Sequence, residues 1–312
     1  MPRSPYQKRP GEPRIARDAD QIELTALRSV FAVVDDAARD EIVSGELDDL
    51  SEIEASEEGR IAWQQQDIRQ EELVGEAAQE IKRRIKMMGD AYPFDLAGNR
   101  LTYRASGTGF YEFCLVVAQT TNITTGPNTA LPRTFERAVT GLVKTYFGPA
   151  AWALHTGFPR TPSTRFKAAM APLNYYGYEW NWQPQAGLPD DPTAEKDETV
   201  DFVIRSDFLD QRAGNLYVLG QCACGNDWDT KITDPNEHQI SKWFNPPWIV
   251  NPIKAFTTPF MLGDESLRET AQRSKGMVFD RARLVLIAER MTPKIVRPAL
   301  RKRLDKVRAI VG

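Results

Sequence analysis

The chain has 312 residues, a formal net charge of −3 at pH 7 and 41% hydrophobic residues. This length and apolar content suffice for a full hydrophobic core and favour one large domain plus an extension. Because the chain is not basic overall, any contact with nucleic acid must come from local patches. No uninterrupted apolar run reaches the roughly 18 residues of a transmembrane helix, which argues against a membrane span.

The cysteine content indicates a reducing compartment, so we expect a cytoplasmic protein. Three cysteines, Cys114, Cys222 and Cys224, do not make a disulfide framework. The Cys-x-Cys pair suggests zinc, but no second pair exists and the two histidines, His155 and His238, lack ligand spacing. Buried free thiols are therefore the better interpretation.

The amino-terminal third predicts an arm followed by two long helices. Residues 1–17 are rich in Pro and Arg without an apolar stretch, which predicts a flexible arm rather than a secretory signal. Apolar residues then recur at helical spacing over 20–43 and over 60–88. These helices present either solvated faces or an arm for dimerisation or partner docking, and the sequence does not choose.

A segment of turn character at 89–99 places the boundary of the compact domain near Asp95. Helical spacing predicts further helices over 108–120 and 133–147, and a strand follows at 151–155. We divide the chain into three parts: an arm (1–17), a helical extension (18–95) and a compact domain (96–312).

The most informative stretch is a pair of strands between residues 197 and 224. In the first strand, Asp201 lies on the face opposite Val200, Phe202 and Ile204, so that face carries a carboxylate in mid-strand. The intervening residues 210–215 are rich in hairpin-forming types, which predicts antiparallel pairing with the second strand. That pairing brings Asp201 next to Gln221 on one face.

A buried carboxylate needs a cation, and two sources are open. Asp201 either forms a salt bridge with Arg205 or Arg212, with Gln221 as an ordinary hydrogen-bonded residue of the sheet, or it binds a metal ion. The first alternative makes the pair structural. The second makes it a functional site.

The two strands resemble the core of the PD-(D/E)XK nuclease superfamily, and most closely its Mrr-like restriction-endonuclease branch. In that branch a strand bearing Asp precedes a strand reading Gln-Cys-Lys, and here Asp201 is followed twenty residues later by Gln221-Cys222. The chain has Ala223 where the family has its lysine. Family members that lose this lysine often supply it from the next helix, where this chain has Lys231.

The resemblance also implies a second carboxylate on the first core helix, within a Phe-Glu pair. Phe135-Glu136 matches it, because a long apolar helix and a strand follow in the expected order; Glu112 is the reserve. An acidic residue at a helix start is also favoured by the helix dipole alone, which is the structural alternative for Glu136.

The implied cofactor is Mg²⁺ or Mn²⁺, which neutralises charge on a scissile phosphate and activates water. Mg²⁺ is held by one or two carboxylates together with water and substrate oxygens. Asp201 and Glu136 are the expected carboxylate ligands, Gln221 the substituted ligand through its amide oxygen, and Cys222 a ligand through its carbonyl. Lys231 is expected to orient the water or steady the phosphate charge.

Two further features bear on nucleic acid. An aromatic stretch at 174–182, with Arg160, Arg165 and Lys167 just before it, either stacks on bases or fills a core edge, and the core is favoured. The basic tail at 290–308 either tracks a phosphate backbone or forms a solvated helix face.

The expected fold is α/β, with a restriction-endonuclease-like mixed sheet flanked by helices and an amino-terminal helical extension. The resemblance covers about 133–262 and implies a metal-dependent DNA endonuclease serving restriction or anti-phage defence, with a partner protein or a second copy bound through the extension. The alternative is an inactive nuclease-like scaffold that binds a protein or DNA, which Ala223 and Gln221 would fit. An unrelated α/β enzyme is weaker, because no glycine-rich phosphate loop or nucleophile elbow occurs.

Overall fold

A computed structural model describes the following residues: 12–36, 57–120, 123, 126–157, 160, 164–174, 178–225 and 227–291. The helices are α1 (Glu12–Ser29), α2 (Glu57–Met88), α3 (Phe110–Gln119), α4 (Ala130–Tyr146), α5 (Phe166–Met170), α6 (Glu237–Ser241), α7 (Asp264–Ser274) and α8 (Arg281–Leu286). The strands are β1 (Phe31–Val33), β2 (Phe94–Ala97), β3 (Arg100–Tyr103), β4 (Ala151–His155), β5 (Phe202–Ser206), β6 (Leu216–Cys222), β7 (Ile253–Thr257) and β8 (Met277–Phe279).

The centre of the fold is a five-stranded mixed sheet in the order β4-β5-β6-β7-β8. The first three strands form an antiparallel meander, and β7 and β8 then continue parallel to β6. Helices precede, separate and follow the strands, so the predicted mixed sheet flanked by helices is confirmed. The antiparallel pairing predicted for β5 and β6 is also confirmed.

Side chains alternate along each strand, so both faces of this sheet carry apolar residues, and a hydrophobic cluster covers each face. On one face Phe202, Ile204 and Val218 join a large hydrophobic cluster that also contains Phe135 and Leu142 of α4. On the other face a smaller cluster packs an aromatic group against the strands: Val203, Tyr217, Leu219, Trp180, Trp243 and Phe244. The aromatic stretch predicted at 174–182 thus fills a core through Trp180, while Tyr178 is exposed and residues 175–177 lie outside the described part.

The amino-terminal helices pack onto the same core. Ala19, Ile22 and Ala26 of α1 are fully buried in the large cluster, together with Ile81 of α2 and Phe113 of α3. This apolar face of α1 is occupied by the chain itself. Partner docking through other faces of the extension, and the division of the chain at residue 95, stay predictions.

The first helix differs from the prediction at both ends. The helix begins at Glu12, so residues 12–17, expected as part of the arm, are helical, and it ends at Ser29 instead of continuing to residue 43. Val30 has a left-handed φ of 72°, and Phe31–Val33 then pair with β3. Pairing between strands distant in sequence therefore overrides the local helical spacing. Residues 37–43 lie outside the described part.

The remaining helices follow the sequence patterns more closely. α2, α3 and α4 confirm the helices predicted over 60–88, 108–120 and 133–147. The helix α7 and the small antiparallel sheet β1-β3-β2 were not predicted. Among the described helices, none has both the length and the apolar character needed to cross a bilayer. The basic tail lies outside the described part from residue 292 onward.

Candidate functional site

Asp201 lies at one end of the central sheet, directly before β5. Its backbone N–H donates to the carbonyl of Gly220 at 2.8 Å, and its own carbonyl accepts from the N–H groups of Thr156 (2.7 Å) and Gly157 (2.9 Å). The pairing of Phe202 with Gly220 sets the register that makes Asp201 and Gln221 cross-strand neighbours. The sheet therefore brings these two residues together at its end, as the hairpin pattern predicted.

The carboxylate of Asp201 is held by backbone and not by a cation. Its Oδ2 accepts from the N–H of Cys222 at 2.7 Å, and the residue is only 7% exposed. Neither arginine of the structural alternative reaches it, since Arg205 pairs with Asp207 at 3.5 Å and Arg212 with Asp210 at 2.6 Å. The expectation of a salt bridge from Asp201 to one of these arginines is therefore wrong.

Glu136, on helix α4, faces the end of the sheet where Asp201 lies. That helix packs on β4 and begins at Ala130, so Glu136 lies beyond the first turn and the helix-dipole explanation for its position does not apply. Its Oε2 is 3.3 Å from Nε2 of His155, the last residue of β4. The geometry brings Glu136 and Asp201 together across 65 residues of sequence.

Gly157 marks the point where these side chains converge. A Cβ at this position would stand 3.0 Å from Oε2 of Glu136, 3.1 Å from Oδ1 of Asp201 and 3.2 Å from Nε2 of His155. Because real Cβ contacts are rarely so short, glycine leaves room for the three polar groups. Neither Gly157 nor His155 was identified from sequence as a site residue; the available signal was that His155 ends the predicted strand 151–155 and Gly157 follows it by two residues.

The electrostatics of Asp201 reflect this crowding. Burial raises the pKa of its carboxyl well above the ordinary value, and the negative charge of Glu136 raises it further. The N–H of Cys222 lowers this pKa, Asp197 raises it and Lys231 lowers it least. A positive charge close to Asp201 and Glu136 would therefore stabilise the ionised form of Asp201.

Gln221 contributes an unsatisfied oxygen. The residue is 7% exposed, and its side-chain Oε1 is buried without a hydrogen-bond partner among the described residues. Buried polar atoms are nearly always bonded, so such an exception in a site is informative. Its neighbour Cys222 is also buried, and burial raises the pKa of the thiol well above its usual range, so the thiol stays protonated. The expected role of the Cys222 carbonyl stays a prediction.

Lys231 ends a short 3₁₀ helix, Trp228–Lys231, beyond β6. Its Nζ forms a 3.7 Å ion pair with Oδ2 of Asp227, and its side chain is 38% exposed. Its positive charge acts on Asp201 without a hydrogen bond between them. Ala223, where the family has lysine, is fully buried, and a lysine there would bury its ammonium.

The reserve carboxylate Glu112 lies elsewhere and is fully bonded. It accepts from the hydroxyl of Tyr103 (3.1 Å) and from the N–H (2.8 Å) and hydroxyl (2.7 Å) of Ser106. These bonds fix the loop before α3, so Glu112 is structural and Glu136 is the glutamate beside Asp201. Glu198, three residues before Asp201, is also held by other side chains, since it accepts from Nε1 of Trp243 at 2.8 Å and pairs with Nζ of Lys242 at 3.0 Å.

The donor set fits a hard divalent cation. Within the described residues, no group of three or more His, Cys, Asp or Glu side chains is arranged to hold a metal ion. Mg²⁺ needs fewer protein ligands, since one or two carboxylates suffice when water and substrate supply the remaining oxygens. Two carboxylates and the unpartnered amide oxygen of Gln221 meet that requirement.

The fold and this site together define a mixed α/β protein with a pair of acids, one buried and one partly buried, at the end of its central sheet. No family model, no curated protein and no solved structure matches the chain. The chemistry of the site residues is therefore what indicates the function.

Proposed function

We propose that this protein is a metal-dependent deoxyribonuclease with a PD-(D/E)XK-type core, acting in restriction or anti-phage defence. The observation that carries the proposal is a pair of carboxylates, the buried Asp201 and the partly buried Glu136, which has no arginine or lysine partner within the described residues; Gln221, whose Oε1 is buried and unpartnered, is the cross-strand neighbour of Asp201. The defence context rests on the family resemblance alone.

The electrostatics support a cation at this place. Burial raises the pKa of the Asp201 carboxyl well above its ordinary value, and the neighbouring charge of Glu136 raises it further. Asp201 and Glu136 would hold Mg²⁺ or Mn²⁺, with oxygens from Gln221 and Cys222 as further ligands. A bound divalent ion supplies an activated water and neutralises charge on a phosphodiester.

The chain's own groups then have separate tasks. The N–H of Cys222 fixes the rotamer of Asp201, so one carboxylate oxygen is committed to the backbone and the other is turned toward Gly157. Lys231 carries a partly exposed ammonium whose charge already reaches Asp201. This lysine would stabilise negative charge on a bound phosphate, once it leaves Asp227.

The order of the elements also supports the proposal. A helix with Phe135-Glu136 precedes β4, a strand with Asp201 at its start follows, and the next strand ends in Gln221-Cys222. This is the order that the resemblance implies for the nuclease core. The parallel strand β7 extends the sheet beside β6.

The test is cleavage of supercoiled plasmid DNA by the purified protein with Mn²⁺ or Mg²⁺. We expect Asp201→Asn to abolish cleavage, because the amide cannot supply a negative ligand. Asp210→Asn is the matched control, since Asp210 is an exposed residue that pairs with Arg212 on the hairpin turn. Cleavage that survives Asp201→Asn would overturn the assignment of the site.

A second candidate function is an inactive nuclease-like scaffold that binds DNA or a protein. It is favoured by the 3.7 Å pair between Lys231 and Asp227 and by the amide at Gln221, where many nucleases have a carboxylate. The same preparations distinguish the two. Retention of plasmid on a gel without cleavage, with either metal and with Gln221→Glu as well, would favour the scaffold.

A further inference from the structure

We propose that His155 is a positioning residue that aims the carboxylate of Glu136 at the metal ion, an inference that rests on the proposed nuclease function. The motifs of the resemblance do not include this histidine. Its Nε2 is 3.3 Å from Oε2 of Glu136, and both atoms approach the space above Gly157 where Oδ1 of Asp201 also points.

The two carboxylates are oriented by different devices. Asp201 is fixed by the backbone, through the N–H of Cys222 at 2.7 Å. Glu136 lies on a helix, and within the described residues the only side-chain group bonded to its carboxylate is the His155 ring. Removing that ring would leave Glu136 without a device that sets its direction.

Glu136 needs such a device more than Asp201 does. A glutamate side chain has three rotatable bonds, one more than aspartate, so it loses more conformational freedom when its carboxylate is held in one direction. The side chain of Glu136 is 17% exposed, so water offers it an alternative direction. In the tautomer that carries its hydrogen on Nε2, His155 donates to Oε2 of Glu136 and so opposes both effects.

The sheet places the imidazole accurately. His155 pairs with Phe202, the residue after Asp201. The two residues that follow His155, Thr156 and Gly157, both donate their N–H groups to the carbonyl of Asp201. The ring is 15% exposed in its side chain, so it lies within the wall of the site. Carboxylate ligands in metal sites are commonly held by such a hydrogen bond, and its loss typically costs about 10–100-fold in metal affinity.

The test measures Mn²⁺ binding by thermal shift in the full-length chain, with plasmid cleavage as a second readout. His155→Leu removes the donor and keeps an apolar side chain, whereas His155→Gln places an amide N–H near the position of Nε2. His238→Leu is the matched control, because His238 is an exposed residue on α6.

We expect His155→Leu to raise the Mn²⁺ concentration at half-maximal thermal shift about 10–100-fold. His155→Gln is expected to recover most of that loss, and His238→Leu to match the wild type. At saturating Mn²⁺ the cleavage rate of His155→Leu should return close to the wild-type rate, because the defect lies in ligand orientation.

The outcomes separate this inference from the proposed function. A wild-type protein that neither binds Mn²⁺ nor cleaves would remove the nuclease proposal itself. A wild-type protein that does both, with His155→Leu unchanged in its Mn²⁺ midpoint, would overturn only the role of His155. A lower melting temperature without metal, at an unchanged Mn²⁺ midpoint, would show that His155 is merely structural.

Discussion

Two buried acid clusters in this protein contrast in how their charge is balanced. In the first, Asp20 and Glu23 of α1 meet two fully buried arginines: Nη1 of Arg84 lies 2.6 Å from Asp20 and 2.8 Å from Glu23, and Nη2 of Arg281 lies 2.7 Å from Asp20. In the second, the donors and cations near Asp201 and Glu136 within the described residues are the backbone N–H of Cys222, the ring of His155 and Lys231, which does not contact Asp201.

The difference separates a structural use of buried acids from a candidate functional one. The first cluster joins α1, α2 and α8, which are far apart in sequence. Each of its two acids has an arginine partner, and Glu23 also accepts from the hydroxyls of Tyr92 and Tyr111. The second cluster lies at the end of a sheet and has no cation in contact with its acids within the described residues. Its cross-strand neighbour Gln221 has a buried amide oxygen without a hydrogen-bond partner. Perturbed, uncompensated acids of this kind concentrate at functional sites.

The largest effect is expected when the first cluster is made to resemble the second. Arg84→Met leaves Asp20 and Glu23 buried with one cation fewer, and we expect a loss of about 3–5 kcal/mol in the free energy of unfolding. Arg83→Met is the matched control on the neighbouring residue, whose side chain is 30% exposed and pairs with Glu80. That pair should contribute less than about 1 kcal/mol. Urea unfolding measures both, and equal losses would contradict the contrast.

Gly157→Ala tests the convergence of the second cluster. A Cβ would meet Glu136, Asp201 and His155 at 3.0–3.2 Å, so we expect a loss of about 1–3 kcal/mol in stability and about a hundredfold loss of cleavage from misplaced groups. Gly75→Ala is the control, because a Cβ added at Gly75 would have no atom within 4 Å and alanine has a higher helix propensity than glycine. Unchanged cleavage in Gly157→Ala would show that the three groups do not act together.

A third comparison separates the two glutamates. Glu112→Gln puts an amide N–H against donors of Ser106, and we expect a loss of roughly 1.5 kcal/mol in stability with cleavage and Mn²⁺ binding retained. Glu136→Gln should do the reverse, with stability kept and Mn²⁺ binding lost. Thermal melts and cleavage assays on both variants provide the measurement. Loss of both cleavage and Mn²⁺ binding in Glu112→Gln would return Glu112 to the site.

The smallest expected effect is a gain of stability. Asp201→Asn replaces an ionisable buried carboxyl with a neutral amide whose oxygen takes the place of Oδ2 and accepts from the N–H of Cys222, so the metal-free variant should be about 1 kcal/mol more stable than the wild type near pH 8. The pKa of Asp201 in the folded protein lies above its unfolded value of 3.8, so the folded state binds this proton more tightly. The wild type therefore loses stability as the pH rises from 3.8 toward the pKa of the folded state. The difference should therefore shrink toward pH 4. Denaturant unfolding with chelator at both pH values checks the sign, and a variant less stable at pH 8 would contradict it.

The sequence could predict those parts of the site that depend on neighbours along the chain. The alternation in β5 and β6 and the turn between them placed Asp201 opposite Gln221, because a hairpin fixes its own register. The order of the following elements favoured Glu136 over Glu112, but both follow aromatic residues on helices, so the sequence left Glu112 as a reserve. The choice was decided by the packing of α4 on β4 and by the bonds of Glu112 to Ser106.

The sequence by itself determined the mixed α/β character, three of the long helices and the central hairpin, because periodicity and turn residues act over a few positions. Tertiary structure decided where α1 ends, which charges balance Asp201 and which residues join it. Glu136, His155 and Gly157 come from a helix, a strand end and the loop after it, and only their packing around one sheet end makes them neighbours. Local patterns do not encode such distances, because burial and long-range pairing set them.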